Sequence, residues 1–483
     1  MAVLRTTLTA DERDIIGKLN SKLHKLQYQD RLHDAYYEGA QRIKHMGLAV
    51  PEEQRLFELI ANWPGMYVDE LMRRQKVKSV YRPGSDGSTP PDKALQEGFD
   101  ANNLSSEIPI LCKETRIFGR CFLTVGTNED DADHPLITLE SPKQMSVLVN
   151  QRRRRIEAAL RQYREENGER VGTLFLPDKT IQLVVGKGGW EIDTTGGDSE
   201  PDAHNLGKVP VILVLNRRRL GKWTGATEMA SVMPITDACA RTLTNLQLAV
   251  ETHAVPPRWA LGVSKGDFVD RDGNMLPVWQ SYYQAIWATQ KGPKDAQLGQ
   301  FAGSDLRNFH ETVKMYAELA SSVTGLPFRF FGQNTANPAA EGAIRADESR
   351  IVSNVEESNE HVGTALGWTM ALYEKFRTGD WPDAGLPIAV DWRNPATPTK
   401  AEEADAIQKQ TGGVAVLSRE GAWDDMGWDE ARKARERKYF EAEAERDPLN
   451  QLARDRGAAP TTNQGTDTSV SANGDASAAA GVG

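Results

Sequence analysis

The chain has 483 residues, 39% hydrophobic and 26% charged, which is enough for two or three globular units and too apolar for a disordered protein. Its 58 Lys and Arg against 68 Asp and Glu leave a net charge of −10, which excludes a tight grip on a polyanion through bulk charge. Cys112, Cys121 and Cys239 contain no C-x-x-C pair and cannot make a disulfide framework, and no apolar run approaches the ~20 residues that span a bilayer.

Thr9 and Glu12 have capping-box spacing, with Leu8 as a staple, and Ile16, Leu19, Leu23 and Leu26 follow at helical period. A first helix is therefore expected from Ala10 into the late thirties. Asp11, Glu12 and Asp14 stand where a signal peptide would be apolar, so the chain reads as a mature, soluble intracellular product. A second helix is expected from Pro51, interrupted at Trp63-Pro64 and resumed over Met66 to Val77. Pro83 to Ser88 is a loop, and two shorter helices precede Ile117.

From Arg116 to Asn216 the period moves toward two. Strand-like runs at Ile117–Val125, Leu136–Leu139, Ser146–Val149, Gly172–Leu176, Ile181–Val185 and Val209–Leu215 predict a mostly antiparallel sheet region. Two arginine runs stand out, Arg152 to Arg155 and Arg217 to Arg219. Glu157, Glu165, Glu166 and Glu169 follow the first run, so solvated strand-edge charge is the simpler reading than a binding patch.

Pro234 to His253 carries only Asp237, Arg241 and Glu251 as charges and predicts a rod of about 30 Å, ended by Pro256-Pro257. A compact insertion follows, in which Asp272-Gly273 signals a β-hairpin between Phe268-Val269 and Leu276–Val278. Leu306, Phe309, Val313, Tyr316, Ala320 and Val323 then draw one apolar seam along a second helix ending at Gly325. From Gly325 to Ala340 the sole charge is Arg329. A long helix follows, with Asn337 as N-cap and Pro338 at its first position, and Ile351, Val355, Val362, Leu366 and Tyr373 keep one face apolar for roughly 60 Å. Gly363 and Gly367 inside it imply a bend or close packing. Pro387 to Val390 is a candidate strand returning to the sheet region. Beyond Pro398 the chain is helical and charged, most clearly at Ala401–Gln410 and Asp429–Arg446, and Gly457 to Gly483 is too polar to fold alone.

Signatures of catalysis are few. Gly17-Lys18, Gly207-Lys208 and Gly221-Lys222 are followed by Leu, Val and Trp, so no P-loop exists. Eight histidines form no H-E-x-x-H or Cys/His cluster, and no metal or other cofactor is expected. Gly262-Val263-Ser264-Lys265-Gly266 matches the nucleophile elbow, but strand and turn residues follow where a helix is required, which favours a plain loop. Asp270 to Asn274 lacks the glycine and glutamate of a calcium loop. Arg307, His310 and Lys314 share one helix face, where Glu311 and Glu318 favour a salt-bridged surface over a DNA-facing stripe.

This order of elements resembles the portal proteins of tailed bacteriophages, of the siphovirus type and especially from phages of actinobacteria. The residues that carry the likeness are Thr324-Gly325-Leu326-Pro327-Phe328, Gly332-Gln333-Asn334 and Asn337 to Arg345, with Tyr36-Tyr37-Glu38-Gly39 and Leu174 to Asp178. The resemblance implies an α+β, portal-like protomer that assembles into a twelve-subunit ring. Its parts would be a wing over 1–226, a first stem helix over 227–255, a clip over 256–304 and a second stem helix over 305–324. A tunnel loop over 325–337, a long kinked helix returning to the wing over 338–400, a helical crown over 401–456 and a disordered tail over 457–483 would complete it.

The same resemblance implies a non-enzymatic channel at the capsid vertex, through which double-stranded DNA is packaged and ejected. Implied partners are the terminase large subunit, which carries the ATPase, the major capsid and scaffolding proteins, and head-completion or adaptor proteins, with no membrane. Arg329, Gln333, Asn334, Thr335 and Asn337 would meet DNA in the tunnel loop. Arg307, His310 and Lys314 would face the channel from the stem, and Lys265, Arg271, Asp272 and Trp279 would dock partners at the clip. Phe330 to Ala340 has no charge, so it can touch a sliding duplex without a phosphate grip and without reading sequence. Two other readings stay open: a serine hydrolase using Ser264, and a head scaffold or packaging accessory protein without a pore.

Overall fold

The structure, a computed structural model, describes residues 7–43, 59–83, 92–194, 201–254, 258–262, 294, 296–300, 306–332, 341–382, 387–396, 400–412, 415–428 and 430–446. Helix α1 (Ala10–Glu38) begins with the expected capping box. The Glu12 N–H donates to the Thr9 hydroxyl at 3.3 Å, and the Thr9 N–H donates to the Glu12 carboxylate at 2.8 Å. Helix α2 (Trp63–Arg73) is capped by Asn62, which accepts from the Gly65 N–H. Pro64 lies in the first turn, where its missing N–H costs nothing, so Trp63-Pro64 opens this helix instead of interrupting one. The helix stops at Arg73, and Val77 already belongs to strand β1 (Val77–Tyr81). The expected start at Pro51 lies outside the described residues.

Helices α3 (Lys93–Ala101) and α4 (Leu104–Phe118) follow. Ile117 and Phe118, expected in a strand, are the last residues of α4. Gly119 ends the helix with φ 80° and lets Ala226 approach so closely that a Cβ there would sit 2.7 Å from its backbone nitrogen.

Eight strands come next: β2 (Arg120–Gly126), β3 (Leu136–Glu140), β4 (Met145–Asn150), β5 (Arg155–Arg164), β6 (Arg170–Phe175), β7 (Thr180–Gly186), β8 (Gly189–Ile192) and β9 (Val211–Leu215). They make two antiparallel sheets, one of three strands in the order β3-β2-β9 and one of five in the order β4-β5-β6-β7-β8. Helix α1 covers the five-stranded sheet, packing Ile16 and Leu19, with Leu8 just before the helix, on Leu160, Leu174 and Leu183. A buried ion pair, Arg120 to Asp30 at 2.7 Å, ties the same helix to β2.

Helices α5 (Met233–Ala254) and α6 (Arg307–Thr324) pack side by side through small residues such as Cys239, Ala317 and Ala320. Between them β10 (Arg258–Leu261) pairs antiparallel with β11 (Gln297–Gln300), so the insertion leaves and rejoins the chain through a two-stranded stalk. The expected hairpin at 268–278 lies outside the described residues. Helix α7 (Glu341–Thr378) spans 38 residues, about 57 Å at 1.5 Å per residue. Strand β12 (Ala389–Trp392) pairs with β1 in a separate two-stranded sheet; it does not rejoin the sheet region as expected. The helical glycines explain how it lies so near α7. A Cβ on Gly367 would stand 2.3 Å from the Ile388 carbonyl oxygen, and one on Gly363 would stand 3.1 Å from the Trp392 indole nitrogen.

The chain divides into two compact units at Pro398. In the second, α8 (Lys400–Thr411), α9 (Arg419–Asp425) and α10 (Glu430–Arg446) are described. Trp423 stacks on both Trp428 and Phe440, and Arg437 of α10 pairs with Glu420 of α9 at 2.7 Å.

Candidate functional site

The polar chemistry of the first unit concentrates where α1, α2, the end of β9, the α5/α6 pair and α7 meet. Glu228 lies in a short 3-10 turn (Glu228–Ser231) just before α5, with Thr227 as its N-cap, and is 1% exposed. Its carboxylate accepts from the Tyr67 hydroxyl at 2.8 Å, from Asn216 and Arg217 at 3.0 Å, and from Asn354 of α7 at 3.1 Å. The fully buried Arg116 guanidinium of α4 stands 3.7 Å away. Its Nε donates to Gln75, whose amide reaches Asn359 of α7.

Burial opposes ionisation of Glu228, but Arg116 and Arg217 outweigh it, with help from Asn216 and Asn354, and hold the carboxyl down at about 2. Burial and the same carboxylate push the Tyr67 hydroxyl well above its ordinary range. One ionised side chain therefore locks α2, α4, the β9 exit and α7 to the base of α5.

Two further links converge there. Tyr36 donates to Asp237 of α5 at 2.7 Å, and Tyr37 donates to Asp69 of α2 at 2.8 Å. Gly39 closes α1 in the left-handed region, φ 68°, against the Asn62 side chain. The Tyr36-Tyr37-Glu38-Gly39 motif is thus a joint between the N-terminal helices and the long helix pair.

At the C-terminal end of α6, Gly325 takes φ 73°, the Thr324 hydroxyl accepts from the Leu326 N–H, and Ser321 donates to the Leu326 carbonyl at 2.7 Å. Leu326 is buried, and Phe331 packs edge-on against Trp63 with ring centroids 5.5 Å apart. Arg329 donates to Glu348 of α7, which also pairs with Arg74 of α2 at 3.4 Å. The charge of Arg329 is thus taken up in anchoring the segment.

On α6 the structure places Arg307, His310 and Lys314 on the exposed surface. The buried line is Ala317, Ala320 and Thr324. Val323, expected in the apolar seam, is 41% exposed and forms an outer stripe with Met315 and Leu319, four residues apart along the helix. Gln333, Asn334, Thr335 and Asn337, and at the insertion Ser264, Lys265, Arg271, Asp272 and Trp279, lie outside the described residues.

Nothing in this joint is arranged as a nucleophile with a base. The three cysteines are buried, and burial pushes the Cys239 thiol up to about 11 and the Cys112 thiol up to about 12. Among the described residues no group of three His, Cys, Asp or Glu side chains could hold a metal ion, and no helix is long and apolar enough to cross a membrane. What the site does is mechanical: it fixes two long helices and the segment after them to a broad sheet-and-helix body. Glu228, Arg116, Tyr67 and Asn354 carry no signal in the sequence, since their partners are 11 to 287 positions away and a lone glutamate has no local signature.

Solved structures with similar backbone include the virion of the native gene transfer agent particle, at 14% identity over 73% of this chain and 85% of that chain with a TM-score of 0.41. The neck of the native particle is similar at 14% identity over 78% of this chain and 93% of that chain, again with a TM-score of 0.41. Among sequences, the portal protein of Mycobacterium phage D29 is 31% identical over 426 residues, covering 86% of this chain and 85% of its own. The portal protein of Mycobacterium phage L5 is 31% identical over 422 residues, covering 85% and 84%. Residues 20–448 match the family described as phage portal protein, SPP1 Gp6-like, and the chain belongs to that structural family of the capsid portal vertex.

Proposed function

We propose that copies of this chain close into a twelve-subunit ring whose axial channel conducts double-stranded DNA into and out of the capsid, without catalysis by the chain itself. The observation that carries this reading is the family match over residues 20–448, joined by two phage portal proteins at 31% identity along most of both chains. In this reading α5 and α6 are the stem and the insertion between them is the clip. There the terminase large subunit docks first, through Lys265, Arg271, Asp272 and Trp279, and head-completion proteins dock later. The body built from α1 to β9 is the wing, which meets the major capsid and scaffolding proteins.

Two features of the described residues support the reading. The outer stripe of Met315, Leu319 and Val323 is an apolar helix face for a neighbouring stem to cover. The segment after α6 is held by Arg329 to Glu348 and by Phe331 on Trp63, so the uncharged stretch beyond it springs from a rigid base. Gln333, Asn334, Thr335 and Asn337 then touch the duplex, while Arg307 and Lys314, with His310 between them, supply a sparse positive face on the stem. Asn334→Lys with Asn337→Lys should stall DNA packaging in a complementation assay while rings still form, because each subunit adds phosphate contacts that multiply around the ring. Normal packaging by that variant would remove the tunnel-loop assignment.

A further inference from the structure

The two arginine runs converge in space. The β4–β5 turn carries Arg152 to Arg155, and the loop after β9 carries Arg218, Arg219 and Lys222. Trp223 joins them: its indole N–H donates to Gln151 at 3.1 Å, and Arg218 stacks on its ring at 4.9 Å. All seven cations are exposed, and none enters an ion pair with a described residue. The glutamates that follow the first run do not neutralise it. Strand β5 runs ten residues from Arg155 to Arg164 and carries Glu165, Glu166 and Glu169 roughly 30 Å away, leaving only Glu157 nearby.

The cluster borders a cleft of about 570 Å³, whose walls include Arg154, Arg155, Trp223, Trp368 and Trp381. Both loops hold an arginine in the left-handed region, Arg154 at φ 51° and Arg217 at φ 46°, where glycine or asparagine would sit without strain. Arg217 turns inward to Glu228, which aims the next residues outward.

An opposite charge cluster occupies the opposite end of the same three-stranded sheet. Leu215 of β9 pairs with Arg120 at the start of β2, so the basic loop leaves the sheet at that end. Strand β2 then runs to Gly126, and the β2–β3 turn beyond it exposes Glu129, Asp130, Asp131 and Asp133. The two ends are about 20 Å apart along the strand, before either loop adds its own reach. A self-complementary two-fold contact needs one patch; a closed ring needs two different faces that fit each other head to tail.

We infer that the Arg152–Arg155 and Arg218–Lys222 cluster of one copy receives the acidic Glu129–Asp133 turn of the next copy around the ring. This inference rests on the ring proposed above. Charge complementarity of this kind sets the order and direction of neighbours and speeds their encounter, and it weakens as salt shortens the screening length.

The test is a charge exchange on the full chain, read by mass photometry and negative-stain microscopy. A variant with Arg152→Glu, Arg153→Glu, Arg218→Glu and Arg219→Glu should raise the concentration needed for half-assembly by about tenfold or more. A variant with Glu129→Lys, Asp130→Lys and Asp133→Lys should do the same, and the two sets combined in one chain should restore rings. Arg219→Cys with Asp130→Cys, treated with a short bismaleimide, should give a ladder of covalent oligomers that neither single variant gives, since the native cysteines are buried. Wild-type rings together with normal assembly of both reversed variants would overturn the inference and leave the ring standing. A wild-type chain that never forms rings would instead remove the ring reading itself. Normal assembly of the arginine-reversed variant, with loss of binding to a fluorescein-labelled duplex, would overturn the inference in favour of a nucleic-acid surface.

Discussion

Replacing Glu228 by glutamine tests whether the joint depends on one buried charge. The wild-type carboxyl is held at about 2, against an ordinary value of 4.5, by Arg116 and Arg217 acting against burial. That displacement corresponds to about 3 kcal/mol of folding stability near neutral pH. Loss of one partner from a buried ion pair costs about 3–5 kcal/mol by a separate argument, because Arg116, 1% exposed with neither terminal nitrogen hydrogen-bonded, would keep its charge without a counter-ion. The two figures agree.

The sign of the pH dependence follows. A depressed carboxylate contributes fully above about pH 4.5 and loses that contribution as pH falls toward about 2. Urea unfolding of wild type and Glu228→Gln, followed by tryptophan fluorescence across this range, should show a gap of about 3 kcal/mol near neutral pH that closes as the medium is acidified. Groups common to both proteins cancel in the difference. A gap under about 1 kcal/mol at neutral pH, or one that stays constant down to pH 2.5, would refute the reasoning.

Three other expectations follow from particular contacts. Gly367→Ala should destabilise the first unit by about 1–3 kcal/mol, because its methyl would meet the Ile388 carbonyl and force β12 off α7. Gly363→Ala meets only the edge of the Trp392 side chain, so the gain in helix propensity of about 1 kcal/mol should largely offset the contact, and comparing melting temperatures of the pair checks this. Leu319→Asp on the outer stripe of α6 should leave the monomer folded by circular dichroism yet lower the ring fraction in mass photometry; unchanged rings would place that stripe away from any subunit contact.

Much of the helical framework was legible because its signals are local. The Thr9–Glu12 capping box, the sparse charge of α5 and the glycine at 325 each declare a helix or its end within one turn. Strand β5 escaped notice because arginines stand at both ends and its buried stretch, Ala158, Ala159 and Leu160, does not alternate. Trp63-Pro64 was misread because proline breaks a helix interior but suits a first turn, and only the Asn62 cap distinguishes the two. The motifs Tyr36-Tyr37-Glu38-Gly39 and Thr324-Gly325-Leu326-Pro327 were visible as text. Their roles, a hydroxyl on Asp237 and a left-handed turn over a buried leucine, needed the third dimension. The arginine runs read as solvated charge and are exposed in the structure; what the sequence alone does not show is that a ten-residue strand separates Arg155 from Glu165, Glu166 and Glu169.

Imaging the purified full-length chain by electron microscopy tests the central claim most directly. The account predicts class averages of closed rings with an open axial channel, and masses that are integer multiples of 53.4 kDa, with twelve copies expected. A chain that remains monomeric across protein concentration and salt, or rings whose centre is filled, would contradict it.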